Sequence, residues 1–322
     1  MGQTVSVVIP MFNESENAAD TVAAVAAALV ARGWEYEIVP VNDGSIDGTA
    51  AALEALAEAD PHVRPVIYHV NRGRGYALRQ GFAAATGDII AALDADLSYT
   101  TDHLVRMVDT LHEDPEADIV LASPYMPGGS VEGVPLIRLL FSRIGNAVLR
   151  LALPRKVYTS TGVVRAYRRA ALRAMDLESD GKEIHLEILS EAFALGYRIV
   201  EMPATLRARK KGRSKFRPRS TVQSHLLFSV LARPATLFGG FGLALLGAGA
   251  VIGVYLLGVY LTGELNPERP LMTLMVLLLL GGAGALAFAI VASQLLEMRR
   301  SVVRLQAAIR RLSDAARDGD DA

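Results

Sequence analysis

The chain has 322 residues, 51% of them hydrophobic and 21% charged, with a formal charge of −1 and no cysteine. That length holds one sizeable α/β core plus an appendage, and the missing cysteines exclude a disulfide framework and fit a reducing compartment. The near-neutral balance hides one basic segment, Arg207 to Arg233, with nine Lys or Arg and no acid; it leads into an apolar stretch, so a membrane and not nucleic acid is the expected partner.

In chain order, Val5 to Ile9 predicts a strand closed by Pro10, and the Ala-rich stretch Asn17 to Ala31 a helix ending at Gly33. Tyr36 to Val41 follows as a strand stopped by Asn42-Asp43-Gly44-Ser45, then a helix from Thr49 to Ala59. Val63 to Val70, Tyr76 to Ala85 and Ile89 to Leu93 read as strand, helix and strand. This alternation indicates βαβ units and a mostly parallel sheet with helices on both faces. Thr101 to His112 is a further helix and Ile119 to Ala122 a strand, before a Gly- and Pro-rich loop from Tyr125 to Pro135, expected to be mobile. Leu136 to Leu153 has a helical apolar face suited to the sheet or to a membrane interface. Gly162 to Arg169 reads as strand and turn, Ile184 to Ala194 as a helix, and Arg198 to Met202 as a last strand.

From Pro234 to Leu261 and from Leu271 to Leu296 no residue is charged. Each stretch exceeds the roughly 20 apolar residues that cross a bilayer core, so two transmembrane helices are expected. Glu264, Glu268 and Arg269 lie between them, whereas Arg233, Arg299, Arg300 and Arg304 flank the other ends. The positive-inside bias then puts the N-terminal domain and the C-terminal tail in the cytoplasm, as a multi-pass protein of the cytoplasmic or inner membrane. The division expected is 1–206 for an α/β domain, 207–233 for a basic loop and juxtamembrane helix (Phe216 to Ala232), 234–296 for the spans, and 297–322 for a helix and tail. Val302, Leu305, Ile309 and Leu312 form a stripe that permits a homo-oligomer, and Asp314 to Ala322 is expected to be disordered. The first apolar run, Val5 to Pro10, is too short for a secretory leader and lacks a basic lead.

The most informative residues are Asp94-Ala95-Asp96, at the end of the apolar run from Ile89. On a strand, residues i and i+2 face one side, so both carboxylates could meet one hard cation at the carboxyl end of a sheet, where open α/β folds bind ligands. Upstream, Val8 to Glu14 and Asn42 to Thr49 each put a turn with polar side chains at a strand end, where Asp43 could accept hydrogen bonds from a base or ribose. Asn71-Arg72-Gly73-Arg74-Gly75 opens a helix, and its amides and Arg74 suit a diphosphate, the rival reading being a structural turn.

The order of these motifs along one sheet resembles the family 2 glycosyltransferases with a GT-A fold. With Arg165-Ala-Tyr-Arg-Arg169, Gly212-Arg-Ser-Lys215 and the two spans, the chain looks more narrowly like polyprenyl-phosphate hexose synthases of the dolichol-phosphate mannose synthase type, over roughly residues 4 to 300. The resemblance implies donor contacts from Pro10, Phe12, Asn13, Glu14, Val41, Asp43, Arg74, Asp94 and Ala95, and Mg²⁺ or Mn²⁺ on Asp94 and Asp96. It also implies capture of the lipid phosphate by Arg209, Arg213, Ser214 and Lys215, with Asp96, Arg165, Arg213 and Lys215 as the catalytic set. The expected partners are a nucleotide sugar and a polyprenyl phosphate, and the expected reaction is inverting hexosyl transfer, with GDP-mannose ahead of UDP-glucose. Four positions depart from the family pattern: Asn42 and Thr159 where Asp is common, Ser98 where Gln often follows the pair, and Pro124 where Arg usually precedes the Tyr. They leave open a second reading, a catalytically weak membrane scaffold or partner subunit. Glu183 and Glu187 could serve as an auxiliary base but read first as solvated, and His185 between them reads as structural.

Overall fold

A computed structural model of the chain describes residues 3–133, 157–208, 234–262 and 270–320. The helices expected at Leu136 to Leu153 and Phe216 to Ala232, and the basic residues Arg209 to Lys215, lie outside the described residues. Two compact units divide the chain: Met1–His225 together with Arg304–Ala322, and Leu226–Val303.

In the first unit β1 (Val5–Met11), α1 (Ser15–Arg32), β2 (Tyr36–Asp43), α2 (Thr49–Ala59), β3 (Val66–Tyr68), α3 (Arg74–Ala84) and β4 (Ile89–Ala92) alternate strictly. Then come α4 (Thr101–Glu113), β5 (Ile119–Ser123), β6 (Ser130–Glu132), β7 (Arg165–Arg168), α5 (Arg169–Arg173), α6 (Ile184–Leu195), β8 (Ile199–Pro203) and β9 (Thr205–Arg207). The main sheet runs β3-β2-β1-β4-β7-β5-β8, parallel except for β7, which is antiparallel to β4 and β5. β1 and β4 are buried almost throughout, as strands covered by helices on both faces must be. Val5, Val7 and Ile9 point to one face, where Val22, Val25 and Leu29 of α1 and Leu104, Val108 and Leu111 of α4 join the same core. On the other face, α3 lies so close that a Cβ at Gly81 would stand 2.3 Å from Val8 Cγ1.

The chain leaves β1 toward β2 and β3, then returns to place β4 on the other side of β1. Strand order therefore reverses between β1 and β4, and open sheets of this kind bind ligands outside the strand ends at that point. β3 is shorter than expected, three residues joined to an isolated Ile38–Val63 bridge. The loop expected to be mobile instead contributes β6, which pairs with β9 in a two-stranded sheet.

In the second unit, α7 (Pro234–Leu261) and the first part of α8 (Pro270–Asp320) pack antiparallel. Glycines set the approach: a Cβ at Gly242 would meet the Gly282 carbonyl at 2.8 Å, and one at Gly249 the Leu279 side chain at 2.9 Å. Small residues let apolar helices close to backbone contact where no hydrophobic drive exists, and Phe238 and Phe288 rings meet at 4.7 Å. Leu237–Leu261 and Pro270–Met298 are long and apolar enough to cross a membrane. α8 continues to Asp320, so the disorder expected from Asp314 is replaced by helix.

Candidate active site

β1 and β4 deliver two turns to the point where strand order reverses. After β1, Asn13 takes a left-handed φ of 51°; its amide donates to Ser45 Oγ at 2.9 Å and its Oδ1 accepts the Ile46 amide at 2.9 Å. The Glu14 amide donates to Thr49 Oγ1 at 2.9 Å, and the buried Glu14 carboxylate accepts from Asn17 at 2.7 Å. The loops after β1 and β2 are thus stitched into one wall, with Phe12 half-buried and Val41 buried beneath it.

The carboxylate pair is placed differently from expectation. β4 ends at Ala92, and Asp94-Ala95-Asp96 forms a turn beyond it, so strand alternation does not position the two side chains. What holds them is Thr21 of α1, whose hydroxyl donates to the Ala95 carbonyl at 2.7 Å, and Leu97, at a left-handed φ of 49°. Asp96 accepts the Ser98 amide at 2.9 Å and hydroxyl at 2.5 Å; the serine found where Gln is common fixes this carboxylate's orientation. Asp94 lies 3.5 Å from the Arg74 guanidinium, with its side chain 25% exposed. Burial pushes the neighbouring Tyr99 phenol well above its ordinary range, and the Asp94 charge adds to it.

Asp43 is buried, and its carboxylate accepts from the Arg72 amide (2.8 Å), the Gly73 amide (3.0 Å), Asn71 (3.0 Å) and the Tyr68 hydroxyl (3.0 Å). The group read as an acceptor for a base is in the structure the organiser of the next turn. The amides of that turn are occupied too, because the Asp180 carbonyl accepts from Gly75 (2.8 Å) and Tyr76 (3.2 Å). The amides of Arg72, Gly73, Gly75 and Tyr76 are thus engaged within the protein, and the half-exposed Arg74 side chain stands against Asp94. Asp180 also pairs with Arg79 and, at 3.7 Å, with Arg72.

Arg165, expected in the catalytic set, is placed in the interior. It is 1% exposed, and its guanidinium donates to the carbonyls of Gly162 (2.8 Å), His185 (3.0 Å) and Ser160 (2.7 Å). Desolvation lowers its pKa. Its work is to lock the loop before β7 onto α6. Glu187 likewise accepts the amides of Glu178 and Ser179 at 3.0 Å, so it braces the Asp180 loop.

Sequence reasoning missed His103 and β9. His103 of α4 is buried and its Nε2 accepts the Thr205 amide at 3.0 Å, while the Arg207 amide donates to the Ser98 carbonyl at 2.9 Å. β9 is thereby drawn onto the carboxylate turn, and the basic segment that starts at Arg207 departs from beside Asp96. No local signal marks these bonds, since both use backbone amides of a three-residue strand.

Residues 6–175, more than half of the chain, match the model of glycosyl transferase family 2. The chain belongs to that family. Among relatives of this glycosyltransferase, polyprenol monophosphomannose synthase of Mycolicibacterium smegmatis is 33% identical, over 66% of this chain and 81% of that one. The undecaprenyl-phosphate 4-deoxy-4-formamido-L-arabinose transferase of Sodalis glossinidius is 32% identical, over 66% of this chain and 62% of that one. Among solved structures, glucosyl-3-phosphoglycerate synthase of Mycobacterium tuberculosis, in complex with Mn²⁺, UDP and phosphoglyceric acid, superposes with a TM-score of 0.55. It is 23% identical, over 71% of this chain and 79% of that one, and shows that the α/β unit of this family 2 enzyme has the GT-A fold.

The residues present fit a divalent ion of the Mg²⁺ or Mn²⁺ kind. Two hard carboxylates are held one residue apart, and a cationic group already stands against one of them. Among the described residues no group of three or more His, Asp or Glu is placed to hold a metal ion.

Proposed function

We propose that this glycosyltransferase moves one hexose from a nucleotide sugar to a polyprenyl phosphate at the cytoplasmic face of a membrane. The transfer inverts the anomeric carbon and gives a β-linked polyprenyl-phosphate sugar, and of the two candidate donors GDP-mannose ranks ahead of UDP-glucose. One observation carries the reading: the acidic turn stands where strand order reverses, and β9 brings the start of the basic segment to that turn. Two helices long enough to cross a membrane supply the second support. Relatives named for polyprenol monophosphomannose and undecaprenyl phosphate supply the third.

In this reading Asp94 and Asp96 hold the divalent ion, which when bound neutralises charge on the departing diphosphate. Pro10, Phe12, Asn13, Glu14, Val41 and Ala95 wall the donor, and Asp43 acts by fixing the turn that carries Arg74. Arg209, Arg213, Ser214 and Lys215 offer charge-assisted hydrogen bonds to the lipid phosphate. A phosphate monoester has its second ionisation near 6, so the nucleophile needs placement more than deprotonation. Its oxygen bonds to the anomeric carbon as the bond to the donor's diphosphate oxygen breaks, and the electron pair leaves on the nucleoside diphosphate. Basic side chains offset repulsion between the two phosphates.

The test is a panel of labelled sugar nucleotides incubated with the purified full-length protein, Mn²⁺ and polyprenyl phosphate, reading lipid-linked sugar. Asp96→Asn should lower transfer by about 10²–10³-fold, the range for removing a preorganised electrostatic contact, with circular dichroism unchanged. Absence of product with every donor, or near-normal turnover by the variant, would overturn the reading.

A further inference from the structure

We infer that Arg74 couples metal binding to donor binding: it occupies the face of Asp94 before the donor arrives and transfers to the donor's diphosphate as the ion enters. This rests on the function proposed above. Three observations carry it. The guanidinium lies 3.5 Å from Asp94, with the Arg74 side chain 41% exposed and thus free to exchange partners in solvent. Its backbone cannot move with it, because Gly73 and Gly75 are wedged against the 179–181 loop, where Cβ atoms would lie 2.5 Å and 2.3 Å from the Asp180 and Ser179 carbonyl oxygens. The other two arginines of the segment are engaged away from Asp94, Arg72 over the Tyr76 ring at 4.0 Å and Arg79 with Asp180. Exchange is therefore a side-chain rotation about a fixed helix start.

The charges decide the direction. A divalent ion arriving alone meets a carboxylate already paired with Arg74 and must displace it into water. An ion arriving with a nucleoside diphosphate gives the displaced guanidinium a new anion, with which Arg makes strong bidentate contacts. Metal alone binds weakly, metal with diphosphate binds well, and Arg74, as a donor-binding residue, sets the ratio.

The probe is Mn²⁺ titrated into the full-length protein in detergent, with free Mn²⁺ read by its electron paramagnetic resonance signal, in the absence and presence of GDP or UDP. Arg74→Gln should tighten binding of Mn²⁺ alone by about two- to five-fold, the scale of a partly exposed ion pair, while weakening Mn²⁺ binding in the presence of the diphosphate. Arg74→Lys, which keeps the charge, should restore most of the ratio. An unchanged ratio in Arg74→Gln overturns the coupling while leaving the proposed function standing. Failure of the unsubstituted protein to bind Mn²⁺ even with both nucleotides overturns the metal site itself, and the coupling with it.

Discussion

Burial keeps His103 neutral, and that neutrality lets its Nε2 accept the Thr205 amide that ties β9 to α4. With Nε2 accepting, the ring proton sits on Nδ1 and faces the Thr100 hydroxyl at 2.9 Å. Desolvation lowers the pKa of His103, and lowers that of fully buried His185 further, with Arg165 and Arg74 adding repulsion. The unfolded chain therefore takes up protons that the native state refuses. Above an ordinary histidine pKa of about 6.5 both states are neutral and nothing is lost; below it, stability falls as pH falls. The thermal midpoint should drop between pH 7.5 and 5.5, well above the carboxylate range, and the combined variant His103→Gln, His185→Leu should flatten that drop. An equally steep drop in the variant would refute the assignment. His185 could be read from the sequence as structural, because a lone histidine among Ile184, Leu186 and Ile188 belongs to a buried face. His103 could not, since its partner is a backbone amide about a hundred residues away.

α3 shows a contest between helix propensity and packing. Ala in place of Gly81 gains about 1 kcal/mol of helix propensity, yet its Cβ would lie 2.3 Å from Val8 Cγ1 and 3.0 Å from Val41 Cγ2. Val8 and Val41 are themselves fully buried, and overfilling such a core costs about 1–3 kcal/mol. Gly81→Ala should therefore destabilise the α/β unit by about 1 kcal/mol net, and Val8→Ala on the same chain should cost less than it does alone. Urea unfolding followed by Trp34 reports it, because the chain's one tryptophan packs on this unit's core. Strict additivity of the two substitutions would count against the contact. The alternation of strands and helices was legible because each element carries its own period. The β6–β9 ladder was not: three residues are too few for a period, and pairing across some 75 positions leaves no local mark. The departures at Asn42 and Thr159 became intelligible only with neighbours in place: Asn42 Oδ1 accepts the Ser45 amide at 3.2 Å, and Thr159 meets Ser123 at 2.7 Å.

For the molecule as a whole, the proposed topology rests on parity: two crossings would fix which segments share a compartment. At 1.5 Å per residue, the 25 residues of Leu237–Leu261 reach about 37 Å and the 29 of Pro270–Met298 about 43 Å, each more than a bilayer core of about 30 Å. In the proposed topology both helices cross, which returns the chain to its starting side and puts whatever precedes α7 and whatever follows Met298 in the same compartment. Arg233, Arg299, Arg300 and Arg304 flank that side, against two acids and one arginine in residues 262–270, and basic flanks are retained in the cytoplasm. Fused after Ala322 in a bacterial host, green fluorescent protein should therefore fluoresce, and alkaline phosphatase inserted within residues 263–269 should be active. Arg299→Glu together with Arg300→Glu should weaken the bias and yield a mixed population. The reverse pattern in the unsubstituted chain would place the acidic turn and Arg74 on the far side of the membrane, and the proposed reaction would lose its compartment even with the fold unchanged.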